Sequence, residues 1–91
     1  MASNSGVVAL SQVDKNRKGR IVGFGFSDQI SNENSPMIKR LRDIGFEEDR
    51  IVEIMHAGPL GADPLAVRVE GMMIALRRAE AALINIEMEA L

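Results

Sequence analysis

The 91-residue chain contains no cysteine, no tryptophan and no tyrosine, and phenylalanine occurs only three times. Without cysteine the protein has no disulfide bridge, no thiolate metal site and no cysteine nucleophile. Because Phe24, Phe26 and Phe46 are the only aromatic residues, a stacking surface for single-stranded nucleic acid is poorly supplied. The absence of cysteine also fits a reducing cytoplasm.

The chain also lacks an excess of either charge, with 11 Lys and Arg against 13 Asp and Glu and a net charge of −2. This balance gives no general attraction to nucleic acid or to an anionic membrane. No apolar run approaches the ~20 residues that span a bilayer, and the first residues lack the positive start of a signal peptide. We therefore expect a protein with no nucleic-acid partner and no membrane insertion of its own.

The length predicts a single domain. We expect a small, polar and disordered tail over residues 1–6, one domain over 7–88, and a short tail over 89–91.

One segment has the pattern of a helix, at about residues 35–44. Ser35 suits the N-cap, Pro36 suits the first helical position, and Gly45 suits a left-handed cap at the end. Apolar residues recur at three- and four-residue spacing and predict one buried stripe. These residues are Met37, Ile38, Leu41 and Ile44.

Most of the remaining chain alternates apolar and polar residues with a period of two, which is typical of half-buried strands. The predicted strands are 19–26, 50–57, 65–69, 72–76 and 84–88, and the segment 7–13 is read as a further strand or an extended lead-in. About five strands with one helix predict a mainly β protein, a small closed or partly closed β-barrel. Closure is expected because it removes exposed strand edges.

His56 is the only histidine. In a regular strand it would share the face of Val52 and Ile54, at the end of the strand, and we interpret it as a surface or rim residue. The alternative is one ligand of a metal site, whose nearest carboxylates in sequence are Glu53 and Asp63. One imidazole with carboxylates is a weak site for iron or zinc.

The sequence offers no convincing catalytic group. A serine nucleophile needs an adjacent base, and the chain has a single histidine that could act as one. The glycine-rich segment 23–29 does not match a phosphate-binding motif. We therefore expect a protein that is not an enzyme.

Two other features leave alternatives open. Met37 and Met72 are predicted to lie in the core, whereas exposure of Met55 or Met73 would favour an adaptable protein contact. The basic residues between 15 and 20 are read as a solvated loop, and the alternative, a contact with nucleic acid, predicts a steep salt dependence of affinity.

Several segments in a fixed order resemble the FeoA family, ferrous iron transport protein A. They are residues 41–46 (LRDIGF), 52–54 (VEI), 58–64 (GPLGADP), 66–71 (AVRVEG) and 74–78 (IALRR). No one of these segments is unique, but their combination is fairly specific. The sequence departs from the family pattern mainly at turns, such as Glu48-Asp49 where the family commonly has Pro-Gly.

The resemblance implies an SH3-like β-barrel with one helix inserted after the first long strand. It also implies a small cytosolic accessory of bacterial ferrous iron transport that acts on FeoB, a membrane transporter with a cytoplasmic nucleotide-binding domain. Through this partner the protein would lie at the inner membrane. The alternative is a metal-sensing domain related to the C-terminal domain of iron-dependent repressors.

The resemblance requires no cofactor, and a weakly bound divalent metal, Fe²⁺ or Zn²⁺, is left open. The candidate recognition loop consists of Pro59, Leu60, Gly61, Asp63 and Pro64. The alternative is a packed turn that needs these residues for its geometry alone. Self-association through a free strand edge is also expected to be feasible.

Overall fold

The computed structural model describes residues 6–25, 35–57 and 64–88, and these residues form a mainly β fold. Its elements are β1 (Val7–Ala9), a 3₁₀ turn (Leu10–Gln12), β2 (Lys18–Phe24), α1 (Pro36–Ile44), β3 (Ile51–Ala57), β4 (Leu65–Val69), β5 (Met72–Leu76), α2 (Arg78–Ala81) and β6 (Ile84–Met88). The predicted strands and the main helix are confirmed. The segment 7–13 supplies the additional sixth strand, because it pairs with β6 before the chain turns.

All strand pairs are antiparallel, in the order β1-β6-β2-β3-β4-β5. Within the described ranges no ladder joins β1 to β5, so the sheet is not closed by hydrogen bonds. Of the two arrangements expected from the sequence, the partly open one is present.

The inner face of the sheet forms the core. The alternation of β4 is confirmed, because Leu65, Val67 and Val69 are buried while Arg68 is exposed. Each fully buried Leu, Ile or Phe side chain stabilises the fold by about 1.5–3 kcal/mol. The largest such side chains are Phe46, Leu10, Ile21, Ile38, Leu41, Ile54, Leu76, Ile84 and Ile86.

The predicted ends of α1 are both confirmed. The Ser35 hydroxyl accepts a hydrogen bond from the Ile38 N–H at 3.5 Å, and Pro36 occupies the first turn. The helix stops at Gly45, whose φ of +136° disfavours other residues and whose N–H donates to the Leu41 carbonyl. The helix therefore begins and ends where its local sequence dictates.

The prediction that Met37 and Met72 lie in the core is wrong, because their exposed fractions are 41% and 46%. Met37 lies in the first turn of α1, where it lines a groove beside Ala75. Met72 is the first residue of β5, which has a neighbour on one side only, and its methyl group lies against Gly45. The spacing of Met37 and Met72 fits the buried faces of α1 and β5. They are exposed because Met37 lies in the first turn of the helix and Met72 begins the edge strand.

Glycine permits a close approach of two backbones at Gly19. A Cβ atom there would lie 2.4 Å from Ile86 Cγ2 and 2.7 Å from the Glu87 carbonyl oxygen, which is too close for any side chain. The ladder of β2 with β6 shows an irregularity between Ile21 and Gly23. Strands β2 and β6 can pair closely because Gly19 lacks a side chain.

Candidate functional site

His56 lies on the outer face of the sheet and is exposed. The ladder between β3 and β4 shifts between Ile54 and His56, so that His56 pairs with Ala66, which lies between the buried Leu65 and Val67. The expectation that His56 shares the face of Ile54 is therefore wrong, because the bulge inserts one extra residue and reverses the alternation. The expectation of a surface histidine is confirmed.

The bulge brings His56 to the same face as Glu53, the second of the proposed metal ligands. Glu53 is half-buried and lies directly opposite Arg68 on β4. The third, Asp63, lies outside the described residues. Among the residues that are described, no group of three side chains could hold a metal ion.

Most of the candidate recognition loop also lies outside the described residues, namely Pro59, Leu60, Gly61 and Asp63. Pro64 is described, and it is exposed immediately before β4. The role of this loop stays a prediction.

A row of side chains crosses four strands on the outer face, and the sequence analysis did not predict that these residues are neighbours. Lys18 lies opposite Glu53, Glu53 opposite Arg68, and Arg68 opposite Met73. Ile51 is adjacent on β3 and is 41% exposed, while Met73 is 56% exposed. We call these five residues the outer-face row. The alternation within each strand is enough to predict that each of these residues lies on the outer face. Only the register between the strands shows that they are neighbours.

A cavity of about 340 Å³ is lined partly by the outer-face row, and its other charged residues, Asp49, Arg50 and Glu70, form ion pairs. At one side, Arg20 donates to Asp49 at 2.8 Å and also bonds Glu87. At the other side, Arg50 donates to the Gly45 carbonyl at 2.9 Å and lies 3.9 Å from Glu70. These two arginines compensate the carboxylates around the cavity, except for Glu53.

Arg42 connects α1 to the corner that follows it and to β2. Arg42 makes two hydrogen bonds to the Glu48 carboxylate, at 2.8 and 2.9 Å, and its guanidinium lies 4.6 Å from the centre of the Phe24 ring. The hydrogen bonds from Arg42 hold the pKa of Glu48 below its ordinary value. This arrangement stabilises the corner after α1.

A second concavity, of about 440 Å³, lies between α1, the end of β5 and α2. Arg40 on its rim lies 3.6 Å from Glu80, which also accepts a hydrogen bond from the Arg77 N–H. The remaining lining residues are Met37, Ala75 and Ala79.

In the part of the chain that is described, no helix has the length and apolar character needed to cross a membrane.

The sequence profile described as the FeoA domain matches residues 8–88. No curated protein sequence matches this chain at a significant level. Among solved structures, a FeoA-like protein from Clostridium acetobutylicum is similar, with a TM-score of 0.76 and 23% identity over 96% of this chain and 92% of that one. This likeness supports the fold.

Two further solved structures bear on the architecture. FeoA from Stenotrophomonas maltophilia, described as a procaryotic SH3 domain protein complexed with zinc, has a TM-score of 0.69 and 25% identity over 90% of this chain and 89% of that one. IdeR from T. acidophilum has a TM-score of 0.68 and 18% identity over 91% of this chain but only 34% of its own length. The SH3-like fold implied by the sequence resemblance is confirmed.

Proposed function

This chain belongs to the FeoA domain family, whose match spans residues 8–88, and we propose that it is a small accessory protein that binds a FeoB-type ferrous iron transporter. The family is associated with iron transport. The single observation that carries the proposal is that the match covers all the strands and helices of the described fold except Val7, not an isolated motif.

The action we propose is binding rather than catalysis. An SH3-like sheet is a rigid support from which loops and outer-face side chains can contact a partner without disturbing the core. The transporter would place the protein at the cytoplasmic face of the membrane. Its effect on the transporter would follow from the difference between its affinities for the transporter's conformational states.

The test is a titration of the full 91-residue chain against full-length FeoB from the same genome in lipid nanodiscs. The titration is made without nucleotide, with GDP and with a non-hydrolysable GTP analogue. We expect saturable binding in at least one of these states and none to empty nanodiscs. An unrelated SH3 domain of similar net charge is the control, and absence of binding in all three states contradicts the proposal.

A weak divalent-metal site on the outer face is a second candidate, and one observation favours it. The bulge in β3 places His56 and Glu53 on the same face, where a regular strand would have separated them. With two protein ligands in place, additional ligands would come from water or from Asp63. This site would suit a metal-sensing role of the kind expected for domains related to iron-dependent repressors.

Calorimetry with Zn²⁺, and with Fe²⁺ under anaerobic conditions, tests the metal site. We expect weak binding that is lost in His56→Ala and retained in Glu47→Ala, a carboxylate on a different part of the surface. Equal binding by the wild type and by His56→Ala contradicts this candidate while leaving the transporter proposal unaffected.

A further inference from the structure

We propose that the outer-face row binds an acidic segment of the transporter that carries apolar residues beside its carboxylates. This inference rests on the proposed function, since it names the surface through which the protein docks. It is carried by the arrangement of Lys18, Glu53, Arg68, Met73 and Ile51 across four strands.

The first argument is charge. Lys18 and Arg68 are exposed, and neither lies within ion-pair distance of a carboxylate among the described residues. The neighbouring carboxylates Asp49 and Glu70 already pair with arginines. The row therefore carries two cations against the single carboxylate of Glu53, on a chain whose net charge is −2.

The second argument is apolar exposure. Ile51, two residues before Glu53 on β3, is 41% exposed, and Met73, opposite Arg68 on β5, is 56% exposed. An unbranched methionine adapts to partner surfaces of irregular shape. Apolar area adjacent to unpaired cations is typical of protein interfaces, in which contact residues exclude water and charges fix the orientation.

The same features favour a protein partner over a polyanion. Glu53 lies between Lys18 and Arg68, opposite both of them in the ladders. A nucleic acid or an anionic membrane presents evenly spaced or continuous negative charge, which the Glu53 carboxylate repels. A protein segment can instead place one carboxylate near Arg68 and another near Lys18, with apolar residues against Ile51 and Met73.

The test compares single charge reversals in the nanodisc titration with full-length FeoB. We expect Arg68→Glu and Lys18→Glu each to weaken binding about tenfold, and Glu53→Gln to strengthen it about threefold because it removes the repulsion. Lys39→Glu is the matched control. Lys39 is exposed on α1 and has no ion pair within the described ranges. Its replacement by glutamate changes the net charge by the same amount as the two reversals in the outer-face row. Affinity should also fall as salt rises, and less steeply in Arg68→Glu.

The outcomes separate the two proposals. If the wild type binds FeoB and the outer-face variants bind with the affinity of Lys39→Glu, the docking surface is elsewhere and only the inference fails. If the wild type does not bind FeoB in any nucleotide state, the proposed function fails and the inference fails with it. If Arg68→Glu abolishes instead a measured binding to duplex DNA or to vesicles containing anionic lipid, the row serves a polyanion and the inference is overturned.

Discussion

At the residue scale, three arginines pair with five carboxylates on the surface of the described residues. Arg20 connects Asp49 and Glu87, Arg42 holds Glu48, and Arg50 lies near two glutamates. The exposure of these side chains keeps each pair weak, since an exposed ion pair contributes about 0.2–1 kcal/mol. Their larger effect is local, because they occupy the carboxylates next to the outer-face row, Asp49 and Glu70, and leave Lys18 and Arg68 without an ion pair among the described residues.

The Arg42–Glu48 pair predicts a pH dependence of stability. Because the folded-state pKa of Glu48 is lowered, its contribution is fully present above the pKa of the unfolded chain and is lost as the pH falls through the folded-state value. Glu48→Gln should therefore reduce the free energy of unfolding by about 0.5 kcal/mol at pH 7 and by almost nothing once the pH is below the folded-state pKa of Glu48.

Urea denaturation followed by far-UV circular dichroism measures this difference, since the chain has no tryptophan or tyrosine to report unfolding. High salt at pH 7 should reduce the difference between the wild type and the variant. A deficit in Glu48→Gln that stays the same at every pH and salt concentration would show that the ion pair is not its cause.

At the element scale, local signals decide where α1 lies. The Ser35 hydroxyl, Pro36 and Gly45 bound the helix, and Ile38 and Leu41 attach it to the core. Replacing an N-cap side chain that accepts a hydrogen bond by alanine typically lowers the free energy of unfolding by about 0.5–2 kcal/mol. Here the Ser35 contact is long, at 3.5 Å, so the lower part of that range applies.

Replacement of the cap tests this account. Ser35→Ala should lower the free energy of unfolding by about 0.5–1 kcal/mol, because the Ile38 N–H loses its acceptor. Ser35→Asp is the matched control, and it should equal or exceed the wild type because a carboxylate both accepts the bond and suits the positive end of the helix dipole. Equal stability of all three proteins in urea denaturation would show that the cap contributes nothing.

At the scale of the whole molecule, the described residues form an open six-stranded sheet around one core. Phe46 is the largest fully buried side chain, and it directly follows the end of α1. The Phe46 N–H donates to the Leu41 carbonyl, so a hydrogen bond to the last turn of the helix holds Phe46 in the core cluster. A domain of this size has little stability to lose, since small domains bury a modest fraction of their surface.

Truncation of this side chain tests the core. Phe46→Leu should lower the free energy of unfolding by about 1–3 kcal/mol, because the smaller side chain leaves a cavity. Met73→Leu, at a residue that is 56% exposed, should change the free energy of unfolding by less than about 0.5 kcal/mol. Thermal denaturation followed by circular dichroism gives both values, and similar effects of the two substitutions would contradict the placement of Phe46 at the centre of the core.

The sequence by itself determined the elements whose signals are local. The ends of α1 follow from Ser35, Pro36 and Gly45, and the strand β4 follows from the alternation around Arg68. A cap or a period of two depends on residues a few positions apart, so no knowledge of the partner strand is needed. The family resemblance likewise depends on the order of short segments along the chain.

Only the tertiary structure decided which residues face the same way and which are neighbours. One extra residue before His56 reverses the side to which that residue points, and no local pattern indicates where a ladder will shift. The exposure of Met37 and Met72 depends on where the helix and the sheet end in space. The outer-face row exists for the same reason: Lys18 and Arg68 are fifty residues apart in the sequence, and strand register brings them to either side of Glu53.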